Sequence, residues 1–373
     1  MVDYVRAIIK VKSFGNDNFS QSSPLHTTTK TLLTAMKLFG IYHELPLNHV
    51  TASTEDVNSE KNPTCVFQFR GKILKIYCAF LSVFLLFNSL RYVAAIFIDD
   101  GNKDGLTVLR IVIYGWIING LLNSISLFVA CHKKDRLHKF FECYNKICSD
   151  ETASEIGLNK KCSRFRRIVA TCTIVAMVIT VGNAAGFTYL TLSDPKQPIG
   201  TVMTNPFGVN FASLALVVLV CLYCTAVWML PVAFLVSFCI ILRYQMKTLR
   251  ESLEKIVDLG EEKAIRKIID YRLKHLQLTK LISMLDVDFR YLFGWLHVSG
   301  IWTSCFNLYQ IINDDSAELL LFTMYITWLV FYQVGVFGTS IAAACLSDEV
   351  IHFVIQKSKS FIQEIKSNIV TNY

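Results

Sequence analysis

Apolar residues gather along this chain in a few long runs separated by charged stretches, and the length of the runs is what they reveal first. A helix needs about 20 mostly apolar residues to cross the hydrocarbon core of a bilayer. Six segments reach that length: 73–98, 106–130, 168–192, 207–242, 292–312 and 319–345. The first is interrupted by Arg91, the second carries Arg110 near its start, and the third has no charge. The fourth is unusual, because nothing between Gln197 and Leu242 is charged. Its apolar part, from Phe207 to Leu242, would reach about 54 Å as one helix. That is too long for one minimal span and too short for two with a comfortable turn. Pro231 predicts a kink there, since proline removes a backbone donor.

Between the fourth and fifth runs the pattern becomes amphipathic. Leu249, Leu253 and Ile256 recur at helical spacing, and Ile265, Ile268, Ile269, Leu273 and Leu276 continue past Gly260. Eleven basic and eight acidic residues share segment 243–291, which predicts helices that carry spans four and five beyond the bilayer. The tail repeats the motif: Ile351, Val354, Ile355, Ile362, Ile365 and Ile369 form one stripe, with Lys357, Lys359 and Lys366 outside it. Packing of this tail helix on the 243–291 helices is preferred to an interfacial position. The expected fold class is therefore an all-α polytopic membrane protein. A segment 1–72 precedes a six-helix transmembrane domain 73–345, which includes the linker 243–291, and an amphipathic helix 346–373 follows.

Composition supports this reading. Hydrophobic residues make up 53% of the 373, and mean hydropathy is +0.42. Charged residues are 18%, against about 25% in ordinary globular chains. These values argue against a soluble enzyme, a disordered chain or a collagen-like one. The net charge of +8 would suit a nucleic-acid partner, but the placement of the cations excludes it. Lys and Arg number eight in 1–72, ten in 131–167, eleven in 243–291 and three in 347–373, so alternate segments hold 32. The intervening segments 99–105, 193–206 and 313–318 hold two, Lys103 and Lys196. Short basic loops stay cytosolic, so both termini are expected inside, with an even number of spans and the fourth run crossing once. Residues 1–14 contain no stretch long enough for a signal-peptide core, so the first span is expected to direct insertion.

Chemistry-bearing residues change the picture little. None of the 12 cysteines falls in an expected outside loop. Cys221 and Cys224 form a CxxC among Leu and Val, which reads as packing rather than metal or redox chemistry. Cys131, Cys143, Cys148 and Cys162, with His132 and His138, lack paired zinc spacing. Asn18-Phe-Ser20 matches a glycosylation acceptor, but on the cytosolic side it should stay unmodified. There is no phosphate-cradling glycine loop, no HExxH and no GxSxG, so neither an enzyme nor a cofactor is expected. His297 in the fifth span is either a functional group or a helix–helix hydrogen bond. Arg91 and Arg110 are expected to reach the interface and meet Asp99, Asp100 or Asp104; a role in binding a polar ligand or carbonyls is the other reading.

The expected outside loops have at most about 14 residues, so a ligand must be small and enter between helices. The outer halves of spans two to six contain Tyr114, Trp116, Asn183, Phe187, Tyr189, Trp302, Asn307, Tyr309, Tyr325 and Trp328. Aromatic surfaces with a few amides suit a small organic ligand. An aromatic belt at the membrane interface is the competing explanation for each ring.

Several stretches resemble one family. Thr31-Leu-Leu-Thr-Ala-Met-Lys-Leu-Phe-Gly40-Ile-Tyr is similar to the Leu-rich stretch ending in Phe-Gly before the first span of arthropod (insect-type) gustatory receptors. Leu281 through Tyr309, with Phe289, Phe293-Gly294 and Leu308-Tyr309, resembles the family's fifth-span entry. Ala342-Ala-Ala-Cys345 followed by Asp348-Glu349 resembles the close of its sixth span. The over-long fourth span, charged linker and short outside loops match its layout. The resemblance implies a ligand-gated, poorly selective cation channel in the cell membrane, with the tastant pocket in the outer half of each subunit. It implies as partners a small-molecule tastant, the lipid bilayer, and other subunits of the family in a homo- or hetero-tetramer. An odorant-receptor relative would share the same layout. The family's pore-lining seventh helix carries a Thr-Tyr…Gln-Phe signature that has no counterpart before Tyr373. The expectation is thus a truncated product or a diverged member, with a non-conducting membrane subunit as the alternative function. A small-molecule transporter would show internal repeats, and none is visible. A G-protein-coupled receptor would need the opposite orientation and its Asp-Arg-Tyr and Asn-Pro-x-x-Tyr motifs.

Overall fold

The computed structural model describes residues 24–42, 63–97, 104–132, 136–149, 151–158, 162–193, 198–204, 207–256, 261–313 and 319–371. Among them are ten helices and no strand. In chain order these are α1 (Pro24–Leu38), α2 (Pro63–Phe97), α3 (Asp104–His132), α4 (Arg136–Ser149) and α5 (Glu151–Ile156). There follow α6 (Cys162–Ser193), α7 (Pro198–Thr204), α8 (Phe211–Ile256), α9 (Glu261–Asn313) and α10 (Leu319–Thr371). Asn18, Asp99 and Asp100, and the side chains of Asp104 and of residues after His352, lie outside the described residues.

Five described helices are long and apolar enough to cross a membrane: α2, α3, α6, α8 and α10, over Lys72–Val93, Leu109–Val129, Ser163–Ser193, Phe211–Lys255 and Leu321–His352. The fifth expected span, 292–312, is helical within α9 but does not join this set. Its buried stripe carries Thr303, Ser304, Asn307 and Gln310, which dilute its apolar character.

The uncharged fourth run is a single helix. α8 continues unbroken through Pro231 for 46 residues. It begins four residues later than the apolar run, because Asn210 caps it: Ser213 N donates to Asn210 Oδ1 at 2.8 Å and Asn210 N to Ser213 Oγ at 2.9 Å. α8 packs along α6 and also meets α3, α9 and α10, so it forms the axis of the bundle. Its continuation is tied to that of α10 by an Arg250–Glu349 ion pair at 2.7 Å, where the expected linker–tail contact begins.

Two cores result. At one end, α4 turns Phe140, Phe141, Tyr144, Ile147 and Cys148 inward, an i, i+1, i+4, i+7, i+8 face. Those rings meet Phe234 and Phe238 of α8; Phe238 lies 5.2 Å from Phe140 and 4.4 Å from Phe234. Lys274 of α9 donates to the Ile147 carbonyl at 3.1 Å, placing a cation at the C-terminal end of α4 where the helix dipole favours it. The other core, at the end holding α7, joins Leu85, Tyr92, Ile113, Phe187, Met203, Cys221 and Tyr325. Cys221 and Cys224 are free and fully buried there.

Helix α1 ends in a Schellman motif. Ile41 N donates to Met36 O at 2.8 Å and Gly40 N to Lys37 O at 3.0 Å, with Gly40 at φ 60°. A Cβ on Gly40 would also lie 3.2 Å from Tyr77, whose hydroxyl donates to Leu38 O at 2.8 Å. The Phe-Gly pair noted in the sequence is therefore the joint between α1 and α2.

Candidate functional site

Where α3, α6, α8, α9 and α10 converge between the two cores, their side chains enclose a cavity. It leaves about 40 Å³ for the centres of water-sized molecules, and one water needs roughly 10–15 Å³ on that measure. Its walls are largely aromatic. Trp116 of α3, Phe187 of α6 and Trp328 of α10 stack in sequence, with centroids 5.4 and 5.0 Å apart and interplanar angles of 6° and 21°. Trp228 of α8 faces Tyr332 of α10 at 4.7 Å.

Polar groups on this wall are few and mostly matched. Trp328 Nε1 donates to Asn183 Oδ1 at 2.8 Å, and Asn183 Nδ2 donates to Thr225 Oγ1 at 2.8 Å. One amide thus links α10, α6 and α8. The exception is Trp228, 6% exposed, whose indole N–H has no partner among the described residues. Gly335 gives that indole its place, since a Cβ there would sit 3.1 Å from two of its ring carbons. The arrangement suits a small, mainly apolar ring bearing one acceptor oxygen.

Of the ten expected residues, the fold brings Trp116, Asn183, Phe187 and Trp328 to the cavity wall. Tyr325 stands behind Trp328, edge-on at 5.9 Å, and Tyr114 packs on the core around α7. Tyr189, Trp302 and Tyr309 are about half exposed or more, Tyr189 at 61%. Asn307 is fully buried on α9 and does not line the cavity. Trp228, Tyr332, Thr225, Thr303, Ile113 and Phe331 line it without having been expected. Trp228 carried a signal: it is the one tryptophan in the uncharged run of α8.

Two other expectations resolve. His297 makes one helix–helix contact: Nε2 meets Ser340 Oγ of α10 at 3.0 Å, while Nδ1 donates within α9 to the Phe293 carbonyl at 2.8 Å. Arg91 does not extend to the surface. It is 6% exposed and donates from Nη2 to the Met203 carbonyl of α7 at 3.1 Å. Its described partner is therefore a backbone carbonyl of α7, while Asp99, Asp100 and the Asp104 side chain lie outside the described residues.

No protein-family model and no curated protein matches the sequence. Two solved structures do resemble the fold. The insect olfactory receptor OR5 from Machilis hrabei superimposes with a TM-score of 0.61 at 13% identity, over 89% of this chain and 81% of that one. The same receptor in complex with eugenol gives 0.64 at 12% identity, over 88% and 82%. With its five long apolar helices, the chain is accordingly an all-helical polytopic membrane protein with the fold of an insect olfactory receptor.

Proposed function

We propose that this chain is a chemosensory receptor subunit of the cell membrane, gating cations in response to a small ligand held in the α3–α6–α8–α9–α10 cavity. The observation that carries the reading is the cavity itself, whose walls come from five helices, with rings from four of them, and whose Asn183 amide fastens three. A ligand must widen so small a space, so occupancy moves helices apart. Such a differential contact is what a gating ligand requires. The similarity of the whole chain to a receptor solved with eugenol supports small aromatic ligands. We assign the gustatory branch, with a tastant ligand and a homo- or hetero-tetramer of family subunits, on the local resemblances around Gly40, Phe289 and Cys345.

Eugenol and its hydrocarbon analogue allylbenzene test the ligand. With full-length protein in nanodiscs, both are expected to quench tryptophan fluorescence saturably. Trp228→Phe should weaken eugenol about five- to tenfold, as loss of one buried hydrogen bond does, and leave allylbenzene unchanged. Absence of saturable quenching by either compound defeats the proposal.

In the proposed orientation the α7 end faces outward, both termini lie inside, and the 292–312 part of α9 is the fifth of six spans. The 32-to-2 distribution of cations supports this. Epitope tags at the two ends should both stain only after cells are permeabilised. Staining of one tag on intact cells would mean an odd number of spans.

A further inference from the structure

Arg91 lies six residues before the end of α2, buried beneath α7, yet no described carboxylate pairs with it. Nη2 donates to Met203 O at 3.1 Å, and that oxygen also accepts from Tyr92 Oη at 3.1 Å. The guanidinium lies 4.5 Å from the Tyr92 ring centroid and 6.0 Å from that of Phe207. Nε and Nη1 are buried without a partner among the described residues. A buried cation with unmade hydrogen bonds is strongly unfavourable unless a counter-charge joins it.

α3 runs antiparallel to α9, with Gly115 against Trp302, where a Cβ would lie 2.9 Å from the indole nitrogen. Asn307, five residues beyond Trp302 on α9, is buried, and neither of its amide atoms has a partner among the described residues. Gln310 Nε2, one turn beyond, is unpartnered too.

We propose that Arg91 forms, at the α7 end of the bundle, a binding site for one anionic oxygen group, a carboxylate or phosphate. The planar fork of arginine matches those groups. Tyr92 and Met203 hold the guanidinium in place, and Nε and Nη1 supply the donors. The site is separate from the aromatic cavity: neither Arg91 nor Met203 lines it. The anion comes either from solution or from a lipid headgroup whose phosphate reaches under α7.

Thermal unfolding of the full chain in nanodiscs distinguishes these sources. In pure phosphatidylcholine, inorganic phosphate added at constant ionic strength should raise the Tm saturably if the anion is soluble. If it is a headgroup, nanodiscs containing phosphatidic acid should raise the Tm instead and abolish any response to phosphate. Arg91→Gln, which keeps a donor for Met203 O, should lose whichever response is present. Arg290→Gln, at an exposed ion pair, should retain it. Should Arg91→Gln not fold, Arg91→Lys replaces it and should raise the phosphate or phosphatidic acid midpoint about tenfold, equivalent to 1.4 kcal/mol. A Tm indifferent to both anions, or a response the same in the Arg91 variants, overturns the proposal.

Discussion

Phe238→Ala is expected to destabilise the protein by about 3–5 kcal/mol, the usual cost of deleting a fully buried ring. Phe238 is completely inaccessible and touches Phe140, Phe141 and Phe234, with centroids 5.2, 5.8 and 4.4 Å away. Each of these four rings touches at least two of the others, so little collapse into the void is available. The loss reaches beyond one side chain, because Phe140 and Phe141 of α4 share this buried cluster. Thermal melting in detergent measures it. Phe238→Leu, which retains most of the volume, should cost less than about 1.5 kcal/mol. Equal melting of Phe238→Ala and the parent protein would show that α4 is anchored elsewhere.

Asn183→Leu is the second large effect, and it acts on the site. Leucine is close in size but leaves Trp328 Nε1 without its acceptor and Thr225 without its donor. Each orphaned buried group costs about 1–3 kcal/mol, so affinity for a cavity ligand should fall at least about tenfold. Thr225→Val removes only one of the two bonds and should lose less. Fluorescence titration of the two variants with eugenol checks the order. A Thr225→Val defect as large as that of Asn183→Leu would mean that the amide does not set the shape of the cavity.

The sequence made some of this legible and concealed the rest for physical reasons. Length in a bilayer is a one-dimensional property, so α2, α3, α6, α8 and α10 could be read from their apolar runs. The cation pattern also gave α8 as one element rather than two. The smaller helices α1, α4, α5 and α7 pass beneath such a criterion. α4 nonetheless carries the Phe140-to-Cys148 face, and a search for amphipathic helices outside the bilayer would have found it.

Rotation about the helix axis is harder to read. α3 is apolar on every side, so nothing in its sequence tells the face bearing Trp116 from that bearing Ile125, yet only the first meets the cavity. The same ambiguity left Tyr189 and Phe187 alike in the sequence, although one is mostly exposed and the other buried. Trp228 and Tyr332 lie at or just past the midpoints of the expected spans 207–242 and 319–345, outside the outer halves that supplied the expected lining.

The length of α8 has a mechanical corollary. From Trp228 at the cavity to Ile256 the helix runs 28 residues without a break, about 42 Å. A tilt of about 5° with its fulcrum at the indole therefore swings the far tip by about 4 Å, carrying Glu349 of α10 along through Arg250. A rod of that reach turns sub-ångström crowding around the Trp228 indole into a displacement of several ångströms at the far end of the bundle.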